Sequence, residues 1–115
     1  MDTFELIEKL KIMVRNSMFA AQKSHDLIFA ENKSDNIAVA YLNKAISHIT
    51  AAEALYYSQY GVLERYEVDE IFHLFNAYSD ELLSNYETNH SHQWTDIEFT
   101  RLKDYFDSSV FAFEN

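Results

Sequence analysis

The chain has no cysteine and no proline, and Gly61 is its only glycine among 115 residues. Without cysteine there is no disulfide framework, no thiolate nucleophile and no Cys-based zinc site, and nothing marks an oxidising compartment. With one glycine and no proline, the many tight turns of an all-β domain have almost no residues to build them. The same shortage excludes glycine-rich phosphate loops and the Gly-x-Ser-x-Gly elbow of serine hydrolases. No apolar run approaches the ~18 residues that a membrane-spanning helix needs. Met1 to Arg15 mixes Asp2, Glu5, Glu8, Lys9 and Lys11 with its apolar residues, unlike a signal peptide. The expectation is a cytoplasmic protein with no membrane association.

Basic residues are scarce too. Nine Lys plus Arg against nineteen Asp plus Glu leave a formal charge of -10. Such a surface repels phosphates, which disfavours direct nucleic-acid binding and anionic membranes while leaving a basic protein partner open.

What the chain has in quantity is apolar mass. Hydrophobic residues make up 48% and aromatics 16%, enough for a packed core in one domain over residues 1–115. The stretch Asp35 to Gly61 organises the rest. Ala38, Tyr41, Leu42, Ala45, His48, Ile49, Ala52, Leu55 and Tyr56 recur at the spacing of a core-facing helix, with many small residues among them. Gly61 is expected just past its end, at positive φ. A second line, Val39, Ile46, Thr50 and Tyr57, predicts contact with more than two neighbours or with a second subunit.

An earlier helix opens with Asp2 three residues before Glu5, a capping box. Its stripe runs from Leu6, Ile7, Leu10, Met13 and Val14 through Ser17, Ala20, Ala21 and Ser24 to Leu27 and Ile28. Its small central portion predicts close antiparallel packing on the alanines of the second helix. The short polar link Glu31 to Ser34 joins the two, with Ser34 or Asp35 as the second cap. Val62 to Glu67 reads as a loop or a short helical turn. A third long helix then turns Val68, Ile71, Phe72, Phe75, Tyr78, Ser79, Leu82 and Tyr86 inward. Glu87 to Trp94 reads as a loop. Thr95 with Glu98 forms a second capping box, stapled by Trp94 and Phe99. The last helix carries Phe99, Leu102, Tyr105, Phe106, Ser109, Val110 and Phe113 inward. These patterns predict an all-α, antiparallel up-down-up-down four-helix bundle.

Candidate chemistry is sparse. Glu70 and His73 form a Glu-x-x-His, the spacing by which ferritin-like bundles hold a metal ion, but no second such motif exists and the pair falls on the flank of its helix. His90 and His92 lack the further ligands a structural zinc site requires. The triplets Asn32-Lys33-Ser34 and Asn89-His90-Ser91 fit a glycosylation acceptor only in a secreted protein. HEPN-type helical ribonucleases carry Arg, four to six residues, then His; here seven separate Arg65 from His73, so that motif is absent. His48 falls on the inward stripe, as a hydrogen-bonded core-edge histidine or a pocket residue. Tyr56, Tyr57, Tyr60 and Tyr66 gather around the link after the second helix, as a core end or an interface. Glu64, Glu67, Asp69 and Glu70 suit a helix N-terminus, or an acidic patch.

No cofactor and no catalytic residue is expected. The sequence favours a non-catalytic protein-interaction or regulatory module that binds a protein partner or itself as a homodimer. The alternatives are a ligand- or metal-binding bundle and an acidic inhibitor or nucleic-acid mimic directed at a basic partner.

Overall fold

The computed structural model describes residues 2–29, 35–88 and 92–113, and all the regular structure among them is helical. In chain order the elements are α1 (Thr3–Ile28), α2 (Asp35–Ser58), α3 (Tyr60–Leu63), a 3₁₀ turn (Glu64–Tyr66), α4 (Asp69–Thr88) and α5 (Gln93–Asp107). The link Glu31 to Ser34 and the residues Asn89, His90 and Ser91, with the readings attached to them, lie outside the described residues. The fold measures 45 × 26 × 23 Å, so α1, at about 1.5 Å per residue, spans most of its length. Among the described residues no helix is long and apolar enough to cross a membrane.

α1 starts where its sequence indicates. The Glu5 N–H donates to Asp2 Oδ1 at 2.8 Å, satisfying one of the backbone donors that a helix start leaves free. The most extensive helix contact is between α1 and α2, and the second is between α4 and α5. Ser17, Ala20, Ala21 and Ser24 of α1 and Ala38, Ala45 and Ala52 of α2 are all buried. Larger residues of α4 and α5, among them Ile71, Phe72, Phe75, Tyr78, Leu82, Phe99, Leu102 and Phe106, complete the same core. Met18 and Asn85 are buried as well, beyond the expected stripes.

Three expectations need correction. α2 ends at Ser58, and Gly61 does not close it: Gly61 lies inside α3 with negative φ. The left-handed residue is Glu67, at φ 52° and ψ 42°. The chain leaves α2 through Gln59, at φ -122° and ψ 34°, and coils again, so the positive φ falls at Glu67, eight residues after Gln59. Val62 to Glu67 is therefore mostly helical.

α5 begins at Gln93, before the expected cap. The Asp96 N–H donates to the His92 carbonyl at 2.9 Å, which puts Thr95 in the first turn. Thr95 is fully buried, and its hydroxyl makes no hydrogen bond among the described residues. Trp94 is exposed while Phe99 is buried, so the staple does not form. Starting the helix earlier adds backbone hydrogen bonds, and these outweigh a side-chain cap of about 1 kcal/mol.

The end of the inward stripe also differs. Val110 and Phe113 are exposed, whereas Phe111 is buried. α5 stops at Asp107, so the helical phase that the stripe assumed does not continue. Arg15 holds the new course from the middle of α1, its Nε donating to the Phe111 carbonyl at 3.0 Å and its Nη2 to that of Ala112 at 3.1 Å.

Candidate functional site

Two places bring the sequence candidates together. The first is the junction of α2, α3 and α4. Tyr56 is the last large inward residue of α2 and is fully buried, while Tyr57 next to it is exposed. Tyr57 Oη donates to Asp69 Oδ1 at 2.9 Å, and Tyr56 Oη lies 3.2 Å from Asp69 Oδ2 and 3.4 Å from the Glu64 carbonyl. One carboxylate at the start of α4 thus receives both phenols from the end of α2. The rings pack edge-on, with centroids 5.2 Å apart for Tyr56 and Tyr57 and 5.4 Å for Tyr56 and Tyr60, and Phe72 closes the group. Tyr66 sits apart, bound through Oη by Arg65 Nη2 at 2.8 Å and covered by the same guanidinium.

Burial and the nearby Asp69 charge push the Tyr56 phenol well above its ordinary range. The hydrogen bond to Asp69 is the chief reason that Tyr57 rises too. Both phenols stay protonated near neutral pH and act as donors, which suits a clamp between two helices rather than a base or a nucleophile.

The second place is a surface cleft between α1 and α2, about 270 Å³ in volume, lined by Asn16, Phe19, Ala20, Tyr41, Lys44 and His48. His48 is half-buried at its edge rather than in the core. Lys23 Nζ lies over the Phe19 ring at 5.6 Å, yet Phe19 is 57% exposed. The cleft falls just under the ~300–1,000 Å³ of most small-molecule sites and is open to solvent.

Glu70 and His73 are both exposed on α4, next in the chain to Asp69 and Phe72 of the tyrosine junction. Among the described residues, no three His, Cys, Asp or Glu side chains gather in a way that could hold a metal ion.

Sequence spacing gave no sign of a third arrangement. His25 of α1 places Nε2 2.9 Å from Asp96 Oδ1 of α5 and stacks on Phe99, with ring centroids 4.2 Å apart and planes 16° apart. Its Nδ1 lies 3.8 Å from Asp26 Oδ1. Among the described residues no hydroxyl hydrogen-bonds the His25 ring, whose partners are carboxylates, so the pair fastens α1 to α5. Nearby, Ser24 donates to the Ala21 carbonyl at 2.7 Å and accepts from Tyr78 Oη at 2.6 Å, a buried link from α1 to α4. Only long-range folding brings these partners together, 71 and 54 residues apart in the chain.

Compared with known proteins, the chain matches no family model, no curated protein and no solved structure.

Proposed function

We propose that the protein is a non-catalytic, cytoplasmic protein-interaction module, with α1, α2, α4 and α5 arranged as an antiparallel up-down-up-down bundle and α3 as part of a link. One observation carries this reading: the surface divides between the two hairpins. Residues 1–58 hold seven Asp or Glu against six Lys or Arg, whereas residues 59–115 hold twelve against three. Large apolar side chains stand exposed on both halves, among them Ile12, Phe19 and Ile37 on the near-neutral one and Leu83, Trp94 and Val110 on the acidic one, so charge is what sets the near-neutral half apart. Exposed apolar groups beside a neutral surface mark protein contacts, and a separate acidic surface steers charged partners.

Zero-length carbodiimide cross-linking of the full chain in lysate of its source cells, read by mass spectrometry, tests the proposal. The expected result is recurrent cross-links to other proteins, or between copies, at the lysines of α1 and α2 or the carboxylates of α4. Cross-linking no greater than that of the heat-unfolded chain overturns it.

A second reading, an acidic inhibitor of a protein that binds nucleic acid, is favoured by α4. That helix carries Asp69, Glu70, Asp80, Glu81 and Glu87 and no Lys or Arg. Under it, the chain displaces DNA from a basic partner at low salt and fails to do so at high salt.

A further inference from the structure

The outer face of the α1 and α2 hairpin carries features that the fold itself does not use. α2 is the least amphipathic of the long helices and, beyond its first turn, carries only Lys44 and Glu53 as Asp, Glu, Lys or Arg, so its outward side is short of the charge that usually faces water. Here Ala40, Ser47, Ala51 and Ala54 are exposed, small enough for another helix to come close. Phe19, itself exposed, lines the cleft between α1 and α2 together with Tyr41 and His48.

We infer that a second copy of the chain docks on this face, two-fold related, with the Phe19 ring of each copy seated in the cleft of the other. The inference rests on the interaction-module reading and names one partner, the chain itself. Charge selects that partner's orientation. Two chains of -10 repel, but residues 9–25 of α1 and 36–52 of α2 contain no carboxylate and hold Lys9, Lys11, Arg15, Lys23 and Lys44, so a contact here adds a local repulsion between cations that salt also screens. Docked here, two copies bring their carboxylate-free segments together and hold their acidic hairpins apart. The size is sufficient. A face two helices wide and ~36 Å long offers ~700 Å² per copy, against ~800 Å² for a standard interface. A cavity of ~150 Å³ accepts a benzene ring, so a cleft of about 270 Å³ has room for a phenylalanine side chain. A two-fold axis also makes the contact closed and self-complementary.

Sedimentation velocity of the full chain across a wide concentration range is the test. The wild type is expected to form a dimer that tightens as salt rises, because screening weakens the long-range repulsion. Phe19→Asp is expected to weaken the dimer at least ~30-fold, while Trp94→Asp, an equally exposed aromatic position on α5, leaves it unchanged. Circular dichroism checks that each variant is folded. Should Phe19→Asp not fold, single-cysteine variants decide, since the chain has no native cysteine: Ser47→Cys forms a covalent dimer on oxidation and Asn76→Cys on α4 does not. A wild-type monomer at every concentration overturns the inference, as does a dimer weakened by salt, one insensitive to Phe19→Asp, or one cross-linked through position 76. These outcomes leave the interaction-module reading standing, since cross-links to other proteins also meet its test.

Discussion

The two helix pairs, α1 with α2 and α4 with α5, solve the same packing problem with opposite materials. α1 and α2 meet through alanines and serines, so their contact depends on backbones lying close together. α4 and α5 supply rings and branched chains that fill the remaining space. Two hairpins of large residues would overfill the core, and two of small ones would leave it hollow. Charge divides along the same line, the small-residue pair near neutral and the aromatic one strongly acidic. Each pair therefore depends on the other for volume while offering solvent a different charge.

Substitutions probe that contrast. Phe75→Ala removes a fully buried ring from the space-filling half and should cost about 3–5 kcal/mol in urea unfolding. A much smaller loss would mean that this half has slack. Ala45→Leu adds bulk where α2 lies on α1 and should cost about 1–3 kcal/mol. If Leu is accepted at no cost, the close approach of the first hairpin is wrong.

Tyr78→Phe removes the hydroxyl that α4 donates to Ser24 and should cost about 0.5–1.5 kcal/mol, with little change in the circular dichroism spectrum. Alkali tests the tyrosines of both halves together. Burial pushes the Tyr86 phenol up to about 12, with the Asp35 charge adding to it, and Tyr56, Tyr57 and Tyr78 are raised as well. A folded-state value above the unfolded one means that the stabilisation is complete below about pH 10, where the unfolded phenols begin to ionise, and is lost as pH climbs towards the folded values. Thermal melts should stay flat up to that point and then fall, with tyrosinate absorbance rising as the chain unfolds. Absorbance equivalent to all eight tyrosines before unfolding would contradict the assigned burial.

The smallest effect concerns Glu53, the one carboxylate on α2 beyond its first turn, whose pKa burial raises. Glu53→Gln should stabilise the chain at neutral pH by about 0.5 kcal/mol, and the difference should vanish in acid, where the glutamate is neutral too.

Periodicity made the inward faces legible, because each long helix keeps one phase for many turns. The small stripe of α1, the alanines of α2 and the rings of α4 all follow from it. Helix ends were less legible, because they are settled by tertiary competition. Thr95 has the residues of a cap and is drawn into the core instead, and Gly61 has the freedom of a closing residue and spends it inside a helix. The tyrosine junction could be read because its members are close in sequence. Asp69 as their shared acceptor could not, and neither could His25 on Asp96 or Ser24 on Tyr78, since nothing local links residues on different helices.

The grip of Arg15 on the two carbonyls after α5 has a practical reach. Because that arginine stands halfway along α1, a fluorophore, affinity handle or fused domain attached beyond Phe113 would leave from the waist of the molecule and not from either tip. Distances measured from such a probe would report how the middle of the first helix moves, and an anchor placed there would restrain the protein sideways.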